Sequence, residues 1–113
     1  MQPDDWMTVD IEIDRIVMGS LEKPFSPSTV ANVREFVNFV RENCPVPRIA
    51  KGYWSTICFG WETTPPLEIE VFGDRFEVYR FYDGRSDIKA VAHTPGSPFP
   101  PELAADLPRR NSI

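Results

Sequence analysis

Residues 67–91 read LEIEVFGDRFEVYRFYDGRSDIKAV, and this stretch decides the fold. Apolar and polar residues alternate on both sides of Gly73-Asp74 with the period of two that is typical of half-buried strands. Gly73-Asp74 and Asp83-Gly84 interrupt the runs with residues that suit tight turns. The stretch therefore predicts three antiparallel strands, the third of which ends near Ala92.

The first turn determines how the first two strands pair. A two-residue turn at Gly73-Asp74 sets Val71 opposite Phe76, so that the apolar residues of both strands share one face. The same register sets Glu70 directly opposite Glu77, which is an unfavourable pair of like charges. The other face is a solvated surface whose aromatic residues another segment covers, a partner-binding surface, or the site of a catalytic carboxylate pair. We predict the binding surface to comprise Glu68, Glu70, Phe72, Glu77, Tyr79 and Phe81.

The second turn, at Asp83-Gly84, leaves the register of the third strand open. A two-residue loop would bring the charged Lys89 to the same face as Val78. A loop of three or five residues would instead bring the apolar Ile88 and Ala90 to that face. We therefore predict the loop of odd length.

An amphipathic helix precedes these strands. Ser26 suits the N-cap with Pro27 at the first helical position, and Pro45 ends the helix after Asn43 or Cys44. Because β-branched residues are poor helix formers, packing on the sheet must hold this helix. Its apolar stripe consists of Val30, Val33, Phe36, Val37, Val40 and Cys44.

Two segments have mixed signals. Residues 6–18 alternate like a strand, yet they also present one apolar helical face that Asp4 or Asp5 would cap; we favour the strand. Tyr53–Trp61 is apolar on both faces, which predicts a strand inside the sheet.

The chain changes character after His93. Residues 94–113 are rich in proline and form an extended tail with at most one helical turn, near 102–107. Through Phe99, Leu103 and Leu107 this tail either docks on the aromatic residues of the hairpin's outer face or stays mobile. We predict an α+β fold in residues 1–93, with one main helix packed on a four- to five-stranded, largely antiparallel sheet, followed by the tail.

Composition narrows the functional classes. The chain has 113 residues, 42% of them hydrophobic, and a net charge of −5, which fit one globular domain. Acidic residues are concentrated near the N-terminus and no basic patch stands out, so direct nucleic-acid binding is disfavoured. No apolar run reaches membrane-spanning length. Two cysteines without a metal or redox spacing predict free thiols in a reducing cytoplasm.

Few residues offer catalytic or metal-binding chemistry. Cys58 and His93 would be the nucleophile pair of a small hydrolase-type enzyme, but the sequence does not place them side by side. Asp10, Glu12 and Asp14 suggest a calcium loop, but Arg15 stands where that loop needs glycine. We therefore expect no enzyme activity, no cofactor and no metal.

Four motifs are similar to those of a loose group of small, uncharacterised bacterial proteins. They are a Pro/Ser-started helix, a Pro-x-Pro connector, a strand ending in tryptophan and a Leu-Glu-Ile-Glu strand. In this chain they are Ser26-Pro27-Ser28, Pro45-Val46-Pro47, Ile57–Trp61 and Leu67–Val71, and the chain departs from the pattern at Lys51–Trp54. The resemblance implies a cytosolic accessory protein of a mobile element or defence system and no particular activity.

The leading hypothesis is a non-enzymatic factor that binds and neutralises another protein, in the manner of an anti-defence (anti-CRISPR-like) factor or an antitoxin. Its partner would present a basic surface that normally holds nucleic acid. The alternative is a self-associating structural or accessory protein that forms a homodimer through Phe72, Tyr79 and Phe81.

Overall fold

Three helices and one five-stranded sheet account for the regular structure of residues 5–110, the part of the chain that this computed structural model describes. The elements are α1 (Trp6–Gly19), α2 (Pro27–Asn43), β1 (Arg48–Lys51), β2 (Ile57–Trp61), β3 (Leu67–Val71), β4 (Arg75–Tyr82), β5 (Arg85–Ala92) and α3 (Pro101–Asp106). The strands are antiparallel and lie in the order β1-β2-β3-β4-β5. The predicted α+β fold is confirmed, with two long helices where one was expected.

The predicted register of the first hairpin is also confirmed. Val71 pairs with Phe76 and Glu70 pairs with Glu77 across the turn at Gly73-Asp74. The predicted inner strand is β2, which lies between β1 and β3 but begins at Ile57, four residues after the predicted start. The edge strand β1 follows the Pro-x-Pro connector and was not predicted.

The prediction of an odd loop at Asp83-Gly84 is wrong. Tyr82 pairs with Arg85, so the turn has two residues, and Gly84 supplies the positive φ of 77° that such a turn favours. Lys89 therefore shares a face with Val78, which is the arrangement that the prediction of an odd loop had rejected. This position is tolerated because the Lys89 ammonium reaches the carboxylate of Asp106 on α3 at 2.5 Å.

The preference for a strand at residues 6–18 is wrong as well, since they form α1. The Asp5 side chain caps the helix by accepting a hydrogen bond of 2.8 Å from the backbone N–H of Thr8, whereas Asp4 lies outside the described residues. Val9 and Ile13 are buried beneath the helix. Two ion pairs with α2, Asp10–Arg41 and Asp14–Arg34, account for acidic residues that had resembled the polar side of a strand.

Helix α2 is the centre of the core. Ser26 caps it as predicted, and its apolar stripe packs on the sheet. Phe36 is fully buried, with its ring centroid 4.7 Å from that of Phe59 and 5.6 Å from that of Phe76. The sheet contributes Ile49, Ile57, Phe59, Trp61, Leu67, Ile69, Val71, Phe76, Val78 and Val91 to the same cluster.

The proline-rich segment packs against α2 rather than against the aromatic residues of the outer sheet face. Phe99 stacks on Phe39 at 3.9 Å between centroids, and Leu103 and Leu107 are buried in the core. The Glu35 carboxylate joins the segment to α2, because it binds His93 Nε2 at 3.0 Å and accepts from the backbone N–H of Gly96 at 2.8 Å. The described part of this segment therefore completes the core.

Candidate protein-binding surface

One face of the sheet carries none of the helices formed by residues 5–110. All core side chains of the five strands point to the other face, where they form one cluster with residues of α1, α2 and α3. We call the helix-free side the open face. Strand register places these residues on it: Arg48, Ala50, Cys58, Gly60, Glu68, Glu70, Glu77, Tyr79, Phe81, Ser86, Ile88 and Ala90, with Thr56, Phe72 and Arg75 continuing it at one end. All six residues of the predicted binding surface are among them.

A hydroxyl group bridges the like-charged pair Glu70 and Glu77. The Tyr79 hydroxyl lies 2.7 Å from Glu77 Oε1 and 3.2 Å from Glu70 Oε1. Because a phenol has one proton, the two carboxylates share a single donor. Burial and the two neighbouring carboxylates raise the pKa of Tyr79 well above its usual value, so the phenol keeps this proton at neutral pH. The pair is therefore part of an ordered network rather than a simple repulsion.

Arg75 neutralises one side of this network. Its guanidinium donates to Glu77 Oε2 at 2.8 Å and to Asp74 Oδ1 at 2.7 Å, and it lies over the Phe72 ring at 3.8 Å from the centroid. Burial alone would raise the pKa of Glu77, but hydrogen bonds from Tyr79 and Arg75 outweigh burial and lower it. Phe72 is thus covered by a cation of its own chain.

The loop between β1 and β2 holds the other carboxylate in place. Thr56 donates its hydroxyl proton to Glu70 Oε2 at 2.5 Å, and the Glu70 residue is only 7% exposed. A side chain at Gly52 would overlap Thr56 Oγ1 and come within 2.5 Å of Glu70 Oε2. Gly52 is therefore required for this loop to close over the carboxylate.

Glu68 has a different environment from Glu77. Within residues 5–110, no group donates a hydrogen bond to its carboxylate and no cation lies within ion-pair distance, although Arg48 acts on it at longer range. Burial is the main cause that raises the pKa of Glu68, and the charge of Glu70 adds to it. Arg48 itself lies over Gly60 and pairs with Glu62 at 3.2 Å.

The charges of the open face are therefore unevenly balanced. Both of its arginines already have carboxylate partners, Glu62 for Arg48 and Glu77 for Arg75. Glu68 and Glu70, neighbours on the same face of β3, form no ion pair with any described residue. Glu70 is nearly buried and both of its carboxylate oxygens already accept hydrogen bonds, whereas the half-buried Glu68 can accept a further cation without breaking an existing pair.

Aromatic rings flank the carboxylates. Tyr79 and Phe81 stack with centroids 6.4 Å apart and an interplanar angle of 7°, and Phe81 is 41% exposed. Next to Gly52, two further aromatic residues, Tyr53 and Trp54, are 87% and 59% exposed. Neither residue was among the predicted binding residues, because Tyr53–Trp61 was predicted to be a strand inside the sheet.

The exposed ring pair is held by its own loop. Lys51 Nζ donates to the carbonyl oxygen of Trp54 at 3.0 Å, and Ser55 donates its hydroxyl proton to the carbonyl of Lys23 at 2.6 Å. These two hydrogen bonds fix the backbone on both sides of the ring pair.

The structure does not bring Cys58 and His93 together. Cys58 is on the open face, where the pKa of its thiol is raised to about 12. Burial is the main cause, and the negative charges of Glu68 and Glu70 add to it. His93 is buried on the helix side, against Phe76 and Glu35. Among the described residues, no group of three metal-ligating side chains converges.

Neither protein-family models, curated proteins nor solved structures show a match to this chain. The resemblance to the loose bacterial group therefore stays a prediction. No helix within residues 5–110 has the length and apolar character needed to cross a membrane.

Proposed function

We propose that this protein binds a partner protein through the open face and acts by covering a basic surface on that partner. The observation that carries the proposal is the half-buried carboxylate of Glu68, which has no hydrogen-bond donor and no ion-pair partner within residues 5–110 and lies beside the network of Glu70, Glu77 and Tyr79. A lysine or arginine from a partner would supply the missing positive charge, and the rings would supply apolar contact.

The network supports binding because it limits the entropy lost on association. The side chains of Tyr79, Glu70 and Glu77 are already fixed by hydrogen bonds, so a partner would not need to order them. A surface that is ordered before binding favours affinity for the same contact area.

The proposed role is neutralisation of the partner, as an anti-defence or antitoxin-like factor would act. A basic surface that normally holds nucleic acid is the complement of adjacent carboxylates, and occupying it would block that ligand. Complementary charge also speeds association and makes it dependent on salt concentration.

The test compares two variants with the same change of charge. The wild-type protein is used to capture partners from host lysate at low and high salt, and affinity for the captured protein is then measured by calorimetry. We expect Glu68→Gln to weaken binding at least about tenfold, since hydrogen bonds to charged groups contribute roughly 1.5–3 kcal/mol. Glu42→Gln, on the exposed side of α2, should leave affinity unchanged. Equal affinities of the two variants, or the absence of any salt-sensitive partner, would reject the proposal.

A further inference from the structure

The two edges of the sheet differ in how well they are protected. Strand β1 has four residues and follows Pro45 and Pro47, so it offers little backbone for pairing. Strand β5 is the other edge strand and has eight residues without proline or glycine. All of them except Val91 are exposed. A long regular edge strand is a template for another strand.

The hydrogen-bond pattern shows which backbone groups of β5 are open. Phe81 N–H donates to Pro66 O at 3.1 Å, so the odd-numbered residues of β4 bond to β3. The even-numbered ones must then bond to β5, where their partners are Arg85, Asp87, Lys89 and Val91. Consequently Ser86, Ile88 and Ala90 direct their N–H and C=O groups away from the sheet, and these groups form no other backbone hydrogen bond within the described chain.

Antiparallel pairing of β5 with a second β5 has few allowed registers. The residues whose backbone groups point outward must lie opposite each other, and in β5 these residues have even numbers. The numbers of any two opposed residues therefore add up to an even value. Two such registers join seven residues of each strand, and they are centred on Ile88 and on Lys89. The register centred on Lys89 opposes two like charges, which is unfavourable.

The register centred on Ile88 has matching charges. It sets Asp87 of each copy opposite Lys89 of the other, and both side chains are accessible, with 57% and 44% of their surface exposed. Ile88, which is 63% exposed, meets its own counterpart on the open face. Lys89 already binds Asp106, but an ammonium has three donors and can take a further carboxylate.

We propose that two copies of this chain pair antiparallel through β5 about a two-fold axis at Ile88, forming one continuous ten-stranded sheet. The partner is thus a second copy of the chain, and the interface is the sheet edge rather than the open face. This inference is independent of the proposed function, because it uses β5 backbone groups and the Asp87–Lys89 pair instead of Glu68 and Glu70.

Sedimentation equilibrium from about 1 to about 200 μM tests the pairing. We expect the wild-type protein to dimerise within this range. Asp87→Lys sets two lysines against each other, Lys89→Asp sets two aspartates against each other, and each variant alone should be monomeric. An equimolar mixture of the two should dimerise again, because every cross-copy pair is then attractive. A monomeric wild type, or a dimer that neither variant weakens, would overturn the proposal.

A cysteine pair tests the register without altering the charges, which matters because Lys89→Asp also removes the ion pair with Asp106. Opposed residues that share hydrogen bonds have Cα atoms about 5.5 Å apart, within the range of a disulfide. Ile88→Cys should therefore cross-link two copies on mild oxidation. Ala90→Cys should not, since its two copies would be about 13 Å apart along the strands. The wild type, with its own Cys44 and Cys58, controls for background. Equal cross-linking of the two variants would refute the register.

Discussion

The two faces of the sheet order their central side chains by different means. On the helix side, Phe36, Phe59 and Phe76 pack by shape, with no hydrogen bonds between side chains needed. On the open face, Tyr79 and Thr56 hold Glu70 in place by hydrogen bonds. The first face provides stability because it removes apolar area from water. The second keeps charged side chains on the open face in an ordered arrangement.

Strand β3 contributes both to the apolar core and to the open face. In β3, Leu67, Ile69 and Val71 are buried in the core, while Glu68 and Glu70 point the other way. The period of two separates the residues that stabilise the fold from those proposed to bind, so each set can change with little effect on the other.

The largest expected difference between the faces is in stability. Phe36→Ala removes the ring at the centre of the core and should lower the free energy of unfolding by about 3–5 kcal/mol. Phe81→Ala removes a ring from the open face, where 41% of the residue is exposed, and should cost less than about 1 kcal/mol. Urea denaturation followed by circular dichroism measures both.

If Phe36→Ala does not fold, Phe36→Leu replaces it, with an expected loss of about 1–2 kcal/mol. A loss at Phe81 as large as the loss at Phe36 would contradict the assignment of the two faces.

A smaller effect is expected where the open face is tightly packed. Gly52→Ala places a methyl group against Thr56 Oγ1 and Glu70 Oε2 and should destabilise the protein by about 1–3 kcal/mol. Gly19→Ala is the matched control, since nothing lies within 4 Å of its added methyl group and alanine favours the helix. Thermal unfolding of the two variants distinguishes these outcomes; equal melting temperatures would mean that Gly52 tolerates a side chain.

The smallest effect concerns pH. The pKa of Glu68 is raised by folding, so its contribution to stability is present at low pH and is lost as pH rises through the raised value. The pKa of Glu77 is lowered, so its contribution is present at neutral pH and is lost as pH falls through the lowered value. At pH 7, Glu68→Gln should therefore slightly stabilise the protein and Glu77→Gln should destabilise it, each by about 0.5 kcal/mol.

Urea titrations from about pH 7 to about pH 3 measure the two differences, which should both shrink as the carboxylates become protonated. Differences of the same sign at pH 7 would show that the two carboxylates do not have the contrasting environments described above.

Local patterns in the sequence were sufficient for the centre of the sheet. The alternation in β3 and β4 and the turn at Gly73-Asp74 determine a register that buries one face, and the Ser26 cap marks the start of α2. Both signals lie within a few residues of the feature that they predict. The placement of the six candidate residues on one face follows from the same register.

The errors arose where a distant partner decides the structure. Lys89 is acceptable on the helix side because Asp106 is there, and Asp10 faces Arg41 across two helices. Neither pairing is visible in the periodicity of β5 or α1. The network around Glu70 could not be predicted for the same reason, since Thr56 reaches it from a loop that the sequence suggested was a strand.

The order of the strands also bears on how the chain folds. Each strand pairs only with its neighbours in sequence, and β3, β4 and β5 are joined by two-residue turns, so each hairpin closes a short loop at low entropic cost. The contacts of Glu35 with His93 and Gly96 instead span 58 and 61 residues. The sheet thus has a local topology that favours rapid formation, while closure of the core by the proline-rich segment requires the long-range contacts of the fold.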